Sequence, residues 1–258
     1  MEPIYTLPGA VALFEWFLAA VSYAASWRRP RRDFDRVGDS LAVAGMVTAV
    51  LGVAWQAWIA APALVFARSS LVTGLAVATL TVYAALAAHR AERLSAFLLL
   101  ALVIPAQAYA IGRLWWGGEV IPQDVFSPLW LIPGVLTGLV GAGALGVGAA
   151  TMGLAAASEK APDQLSGLQP AELPVLGEEA VHLALVNLSV SLALVLVRSW
   201  WGLGQVVSGS LVWSVVAWLL LVAATYGLTQ GGNSRRLWLA LLIPAFAAAI
   251  GGLLTLVN

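Results

Sequence analysis

The 258-residue chain contains no cysteine. That excludes disulfides, thiolate metal sites, thioether attachment of a cofactor and cysteine nucleophiles. Only two histidines occur, His89 and His182, too few for a histidine-rich metal cluster. Charge is equally scarce: 10% of residues are charged, and 13 basic side chains balance 13 acidic ones. A chain of zero net charge offers no basic face to nucleic acid. No P-loop, nucleophile elbow or zinc-protease helix is present, and Ser69, Ser70, Ser189 and Ser191 have no base nearby in sequence. The chain is therefore not expected to be an enzyme. What it has in abundance is apolar surface, with 61% hydrophobic residues and a mean hydropathy of +0.90. Such values belong to polytopic membrane proteins, with the lipid bilayer as the first partner.

A membrane-crossing helix needs about 20 mostly apolar residues. Eight segments qualify: 8–27, 38–60, 69–89, 94–112, 128–157, 179–199, 207–229 and 236–257. The expected fold class is an all-α integral membrane protein, a bundle of eight transmembrane helices in a single polytopic domain over residues 1–258. The opening MEPIYTLPGAV lacks the basic stretch of a signal peptide, so the first segment is read as a retained span. Lys and Arg are distributed unevenly between the loops. Those after spans 1, 3, 5 and 7 hold ten of the 13, including the arginine-rich 27–36 loop, and the opposite side holds only Arg68, Arg113 and Arg198. The positive-inside rule then places the N-terminus and the C-terminus outside.

A few residues stand out from this apolar background. Glu15 is an intramembrane carboxylate in span 1, a functional candidate by default, although a structural pairing with Arg68 or Gln56 is the simpler expectation. Arg113 precedes Trp115-Trp116 and Arg198 precedes Trp200-Trp201, both at the predicted outer face. Snorkelling arginines beside interfacial tryptophans account for this pattern, and a cation–π-lined cavity is the sharper alternative. Span 5 carries Gly134, Gly138, Ala142, Gly146 and Ala150 at four-residue spacing, a small-residue face for close helix packing or for docking a partner. Gln107 and Asn187 are read as interhelical hydrogen bonders. The stretch 158–178, broken by Pro162, Pro170 and Pro174, is read as a mobile loop, with Glu178 and Glu179 at the start of the next helix.

The chain from Trp200 onward resembles the tryptophan-rich motif of the cytochrome c assembly family, the CcsA/ResC type of haem-handling membrane protein. The family pattern is roughly W-G-x-x-W-x-W-D-P-K-E-T-W-x-x-x-x-W. Trp201, Gly202, Trp213 and Trp218 match it without a gap, whereas Gln205, Val207, Ser208 and Gly209 replace the central Trp, Trp, Asp and Pro. Ser127-Pro128-Leu129-Trp130 resembles the family's opening of span 5, and Pro62 and Ser69 fit a family turn between spans 2 and 3. The resemblance extends, in order, over nearly the whole chain. The family's haem-ligating histidines are missing at the matched positions: Leu131-Ile132-Pro133-Gly134 holds none, Tyr226 stands at a second, and a third would fall past Asn258.

This departure implies a divergent, non-catalytic relative. It would act in cytochrome c maturation or haem handling, in a bacterial inner (cytoplasmic) membrane and with protein partner subunits. No bound cofactor is expected. A haem b held between His89 and His182, both near the cytoplasmic boundary, is the minority alternative. Two other roles share the span pattern: a structural subunit of a larger respiratory or photosynthetic complex, and a regulator of haem biosynthesis of the HemX type.

Overall fold

A computed structural model describes residues 6–28, 32–59, 67–87, 98–116, 131–158, 173–201, 208–230 and 235–255. They form eight helices: α1 Leu7–Arg28, α2 Arg32–Ile59, α3 Arg68–Ala87, α4 Leu99–Trp115, α5 Leu131–Ser158, α6 Leu173–Trp201, α7 Gly209–Gln230 and α8 Arg235–Thr255. Six are long and apolar enough to cross a membrane, and α4 and α8 are shorter apolar helices. The all-helical architecture expected from composition is present, and the six long apolar helices are compatible with a membrane bundle. Side chains such as Leu51, 62% exposed, and Ile243, 69% exposed, face outward. In water such exposure would be a liability; against lipid tails it is the ordinary solvated face.

Several helix ends differ from the hydropathy limits. Helix α2 starts at Arg32 and α1 runs to Arg28, so most of the arginine-rich 27–36 segment is helical. Helix α6 starts at Leu173, six residues before the predicted span. The physical reason is the same in both places: a window tuned to lipid-soluble residues stops at the polar boundary, but an α-helix can project beyond it. Pro174 does not oppose this, because proline is well accommodated in the first turn, where its missing N–H has no partner to lose. Glu178 and Glu179 accordingly lie past the first turn, exposed on the helix surface.

Helix α4 begins with a π-helical turn, Leu99–Val103, in which the Ile104 N–H donates to the Leu99 carbonyl. The next residue, Pro105, has no N–H, and its ring would collide with the carbonyl four residues earlier in a regular α-helix. Widening the turn relieves that conflict and keeps Leu99 and Val103 fully buried.

The chain divides into two compact units, one containing α1–α4 and the other α5–α8. Within the first, α1 packs on α2 and α4, and α3 packs on the same two helices. The second repeats that ring, with α5 on α6 and α8, and α7 on the same pair. In each unit the closest antiparallel pair is spaced by glycines seven residues apart. On α2, a Cβ at Gly38 would lie 2.7 Å from the Tyr23 ring, at Gly45 2.5 Å from the Trp16 indole nitrogen, and at Gly52 2.8 Å from Pro8. On α5, a Cβ at Gly141 would lie 2.8 Å from Leu188 and one at Gly148 2.8 Å from Val181, both on α6. Gly134 faces Leu194 at an ordinary 3.5 Å.

The tightest contacts of α5 on α6 fall at seven-residue spacing, which cuts across the four-residue ladder of span 5. Seven residues of α-helix return to nearly the same azimuth, drifting about 20°, whereas four-residue steps drift about 40° each and wind around the helix. At Gly138, the second rung of the predicted ladder, an added Cβ would lie 2.9 Å from Leu253 of α8 and 3.1 Å from Ser191 of α6. Ala142 and Gly146 are buried and Ala150 is half-buried. Gly134, Gly138, Gly141 and Gly148 of α5 face neighbours inside the unit.

Candidate functional site

Two tryptophans of the motif frame, Trp213 and Trp218, lie in helix contacts of the second unit. Trp218, on α7, donates its indole N–H to the Ser189 hydroxyl of α6 at 2.9 Å, and Ser189 in turn donates to the Leu185 carbonyl. Trp213 lies over Gly251 of α8, where a Cβ would come within 3.1 Å of its ring. Ser208, which replaces the aspartate of the motif, is the N-cap of α7: its hydroxyl accepts the Leu211 N–H at 3.2 Å and lies 3.0 Å from the Ser210 hydroxyl. A serine here satisfies one of the amides that the first turn leaves without a partner. Ser208→Ala should therefore cost about 1 kcal/mol in reversible unfolding, and Ser208→Asp should retain the cap.

Trp200 projects outward from the last turn of α6 at 77% exposure. Trp201 ends that helix, while its side chain, like Gly202, lies outside the described residues. Trp200→Ala should leave the unfolding midpoint unchanged, whereas Trp218→Phe should cost about 1 kcal/mol through loss of the hydrogen bond to Ser189. Thermal unfolding of the detergent-solubilised protein, followed by circular dichroism, separates the two.

His182 is an exposed residue of α6, and His89 lies outside the described residues. Tyr226 is exposed near the end of α7. Among the described residues, no three His, Asp or Glu side chains converge as a metal site. Asn187, read as an interhelical donor, instead bonds the Leu183 carbonyl of its own helix at 2.9 Å. An amide side chain four residues on reaches its own helix backbone as easily as a neighbour.

Glu15 is half-buried on α1, and among the described residues its buried Oε2 has no hydrogen-bond partner. The expected pairing with Gln56 fails on height. The neighbouring Trp16 lies against Gly45, and Gln56 is eleven residues further along α2, about 16 Å by helical rise. Trp16 itself, passed over in the sequence, is fully buried, and its indole N–H donates to the Ala42 carbonyl at 3.2 Å. Two turns nearer the arginine-rich end, the Tyr23 hydroxyl donates to Asp39 at 2.5 Å. Glycines recurring every seventh residue in α2 are the signal that marks this face in the sequence.

The other feature that sequence reasoning did not assemble is a polar cleft in the first unit. It lies at the end where α1 and α3 begin and α2 and α4 finish, and Gln56, Ser69, Ser70, Thr73 and Gln107 line it. All five are buried. Thr73 donates to the Gln107 side-chain carbonyl at 3.0 Å, and the Gln107 amide donates to the Gly9 carbonyl at 3.3 Å. Gln107 thus bridges α1, α3 and α4, the interhelical role expected of it. Exposed Trp58 and Trp116, at 88% and 84%, stand on the same end of this unit, the arrangement of an interfacial aromatic belt. Arg113, in the last turn of α4, is half-buried. Compared with protein-family models, curated proteins and solved structures, the chain matches none.

Proposed function

We propose that this chain is a divergent, non-catalytic relative of the cytochrome c assembly family, serving cytochrome c maturation or haem handling as one subunit of a membrane complex. In this reading it sits in a bacterial cytoplasmic membrane with both termini outside. The observation that supports it is the use made of the retained tryptophans. Trp218 is bonded to Ser189, and Trp213 covers Gly251, so indoles at motif positions join α7 to its neighbours. Ser208, at the aspartate position, caps a helix. Residues that in the family's motif frame a haem platform here hold a bundle together, a division of labour suited to a scaffold.

Deleting the gene should lower the membrane content of c-type cytochrome, and the gently solubilised protein should show no haem band, oxidised or dithionite-reduced. Unchanged cytochrome content would sink the assembly reading and leave the structural subunit of a respiratory or photosynthetic complex, or the regulator of haem biosynthesis. A b-type band abolished by His89→Ala or His182→Ala would instead establish haem b on this chain. Docking of a partner through the glycine face of span 5 is the weaker version of the subunit role, because Gly138, Gly141 and Gly148 are already closed by α6 and α8.

A further inference from the structure

We infer that the polar cleft of the first unit is a binding site for one water molecule, which completes the hydrogen bonding of Gln107 and links α1, α3 and α4. Gln107 is 2% exposed. Its amide group offers two N–H donors and two acceptor positions. Among the described residues, one donor is committed to the Gly9 carbonyl and one acceptor position to the Thr73 hydroxyl. One N–H and one acceptor position are left over, in a place that bulk solvent barely reaches. The Thr73 oxygen, having donated its hydrogen, can still accept.

The complement is a group that both accepts and donates, and its size is set by the cleft. The space is on the order of a single water. Among the described residues, no carboxylate lines it to hold a cation, and no Lys or Arg lines it to hold an anion. Besides the polar side chains already named, the lining includes the apolar Val53, Ile111 and Leu114, and the small volume leaves no room for a larger head group. A water accepting from Gln107 and donating to Thr73 or Gln107 meets the two-to-four polar contacts typical of buried waters. Its place near the end of the bundle, beside Ser69 and Ser70 at the start of α3, allows exchange with the interfacial solvent.

Radiolytic hydroxyl labelling of the full chain in lipid nanodiscs, read by mass spectrometry, tests this directly, because a bound water generates radicals where it sits. Val53, Ile111 and Leu114 should be oxidised at least three-fold faster than Leu99 and Val103, which are fully buried in the same unit. The Thr73→Val/Gln107→Leu double variant should lose that excess. As a second variant that leaves the hydrogen-bonding groups in place, Ala110→Val narrows the cleft and should also lose it. Both comparisons are made on protein with unchanged helix content. Labelling of the three residues no faster than that of Leu99 and Val103, or an excess that persists in both variants, would overturn the assignment.

Discussion

Trp16→Ala should destabilise the first unit by about 3–5 kcal/mol, the usual cost of emptying a fully buried tryptophan site. Trp16 is buried among α1, α2, α3 and α4, in the cluster that includes Ala49, Ala76 and Val103. The site cannot collapse easily, because its partner across the contact is Gly45, which has no side chain to move inward. In lipid the driving force for helix association is packing and hydrogen bonding, so a lost indole is not compensated by hydrophobic transfer elsewhere. Trp16→Phe should recover most of the loss and leave only the missing N–H bond to Ala42, about 1 kcal/mol. Unfolding in mixed detergent and SDS, followed by circular dichroism, measures all three proteins. A Trp16→Ala variant as stable as the wild type would mean that α1 and α2 do not close on this residue.

The second large effect is expected at Gly141→Ala. The added methyl would sit 2.8 Å from Leu188 Cγ and 3.1 Å from the Leu188 backbone nitrogen. A side-chain tip can rotate away from such a clash, but a backbone atom moves only if the helix moves. Forcing α5 and α6 apart should cost about 3 kcal/mol, the upper end for overpacking. Gly153 of the same helix provides the contrast, since a Cβ there meets nothing within 4 Å. Gly153→Ala should be neutral or stabilising by up to about 1 kcal/mol, through the better helix propensity of alanine. Equal midpoints for the two variants, measured by the same unfolding method, would refute the close packing of α5 on α6.

The sequence was informative wherever a property depends on one segment at a time. Long apolar runs specify helices in lipid because a membrane-spanning backbone must satisfy its own hydrogen bonds, and the eight runs correspond to eight helices. Their ends were less legible. A hydropathy window follows the solubility of side chains and not the continuity of backbone bonding, so it leaves out the polar first turn of α2 and the apolar first turn of α6, which Glu178 and Glu179 separate from the long apolar run. Gln107 could be read as an interhelical bonder because a lone amide in an apolar span has few other uses. Asn187 carried the same signal and turned inward to its own helix.

What the sequence by itself determined was the helical membrane architecture, along with the absence of cysteine chemistry. Which small residues close a contact was decided only by the tertiary structure, because azimuth around a helix has meaning only against a neighbour. Gly141 and Gly148 meet α6 at heptad spacing, while Gly138 is also held against α8. The roles of Trp213, Trp218 and Ser208 as packing and capping groups were likewise invisible in a one-dimensional motif. The cleft shows this most clearly: its hydrogen bonds join Gly9 to Gln107 across 98 positions and Thr73 to Gln107 across 34. No local pattern encodes such a juxtaposition; it exists because α1, α3 and α4 meet at one end of a four-helix unit.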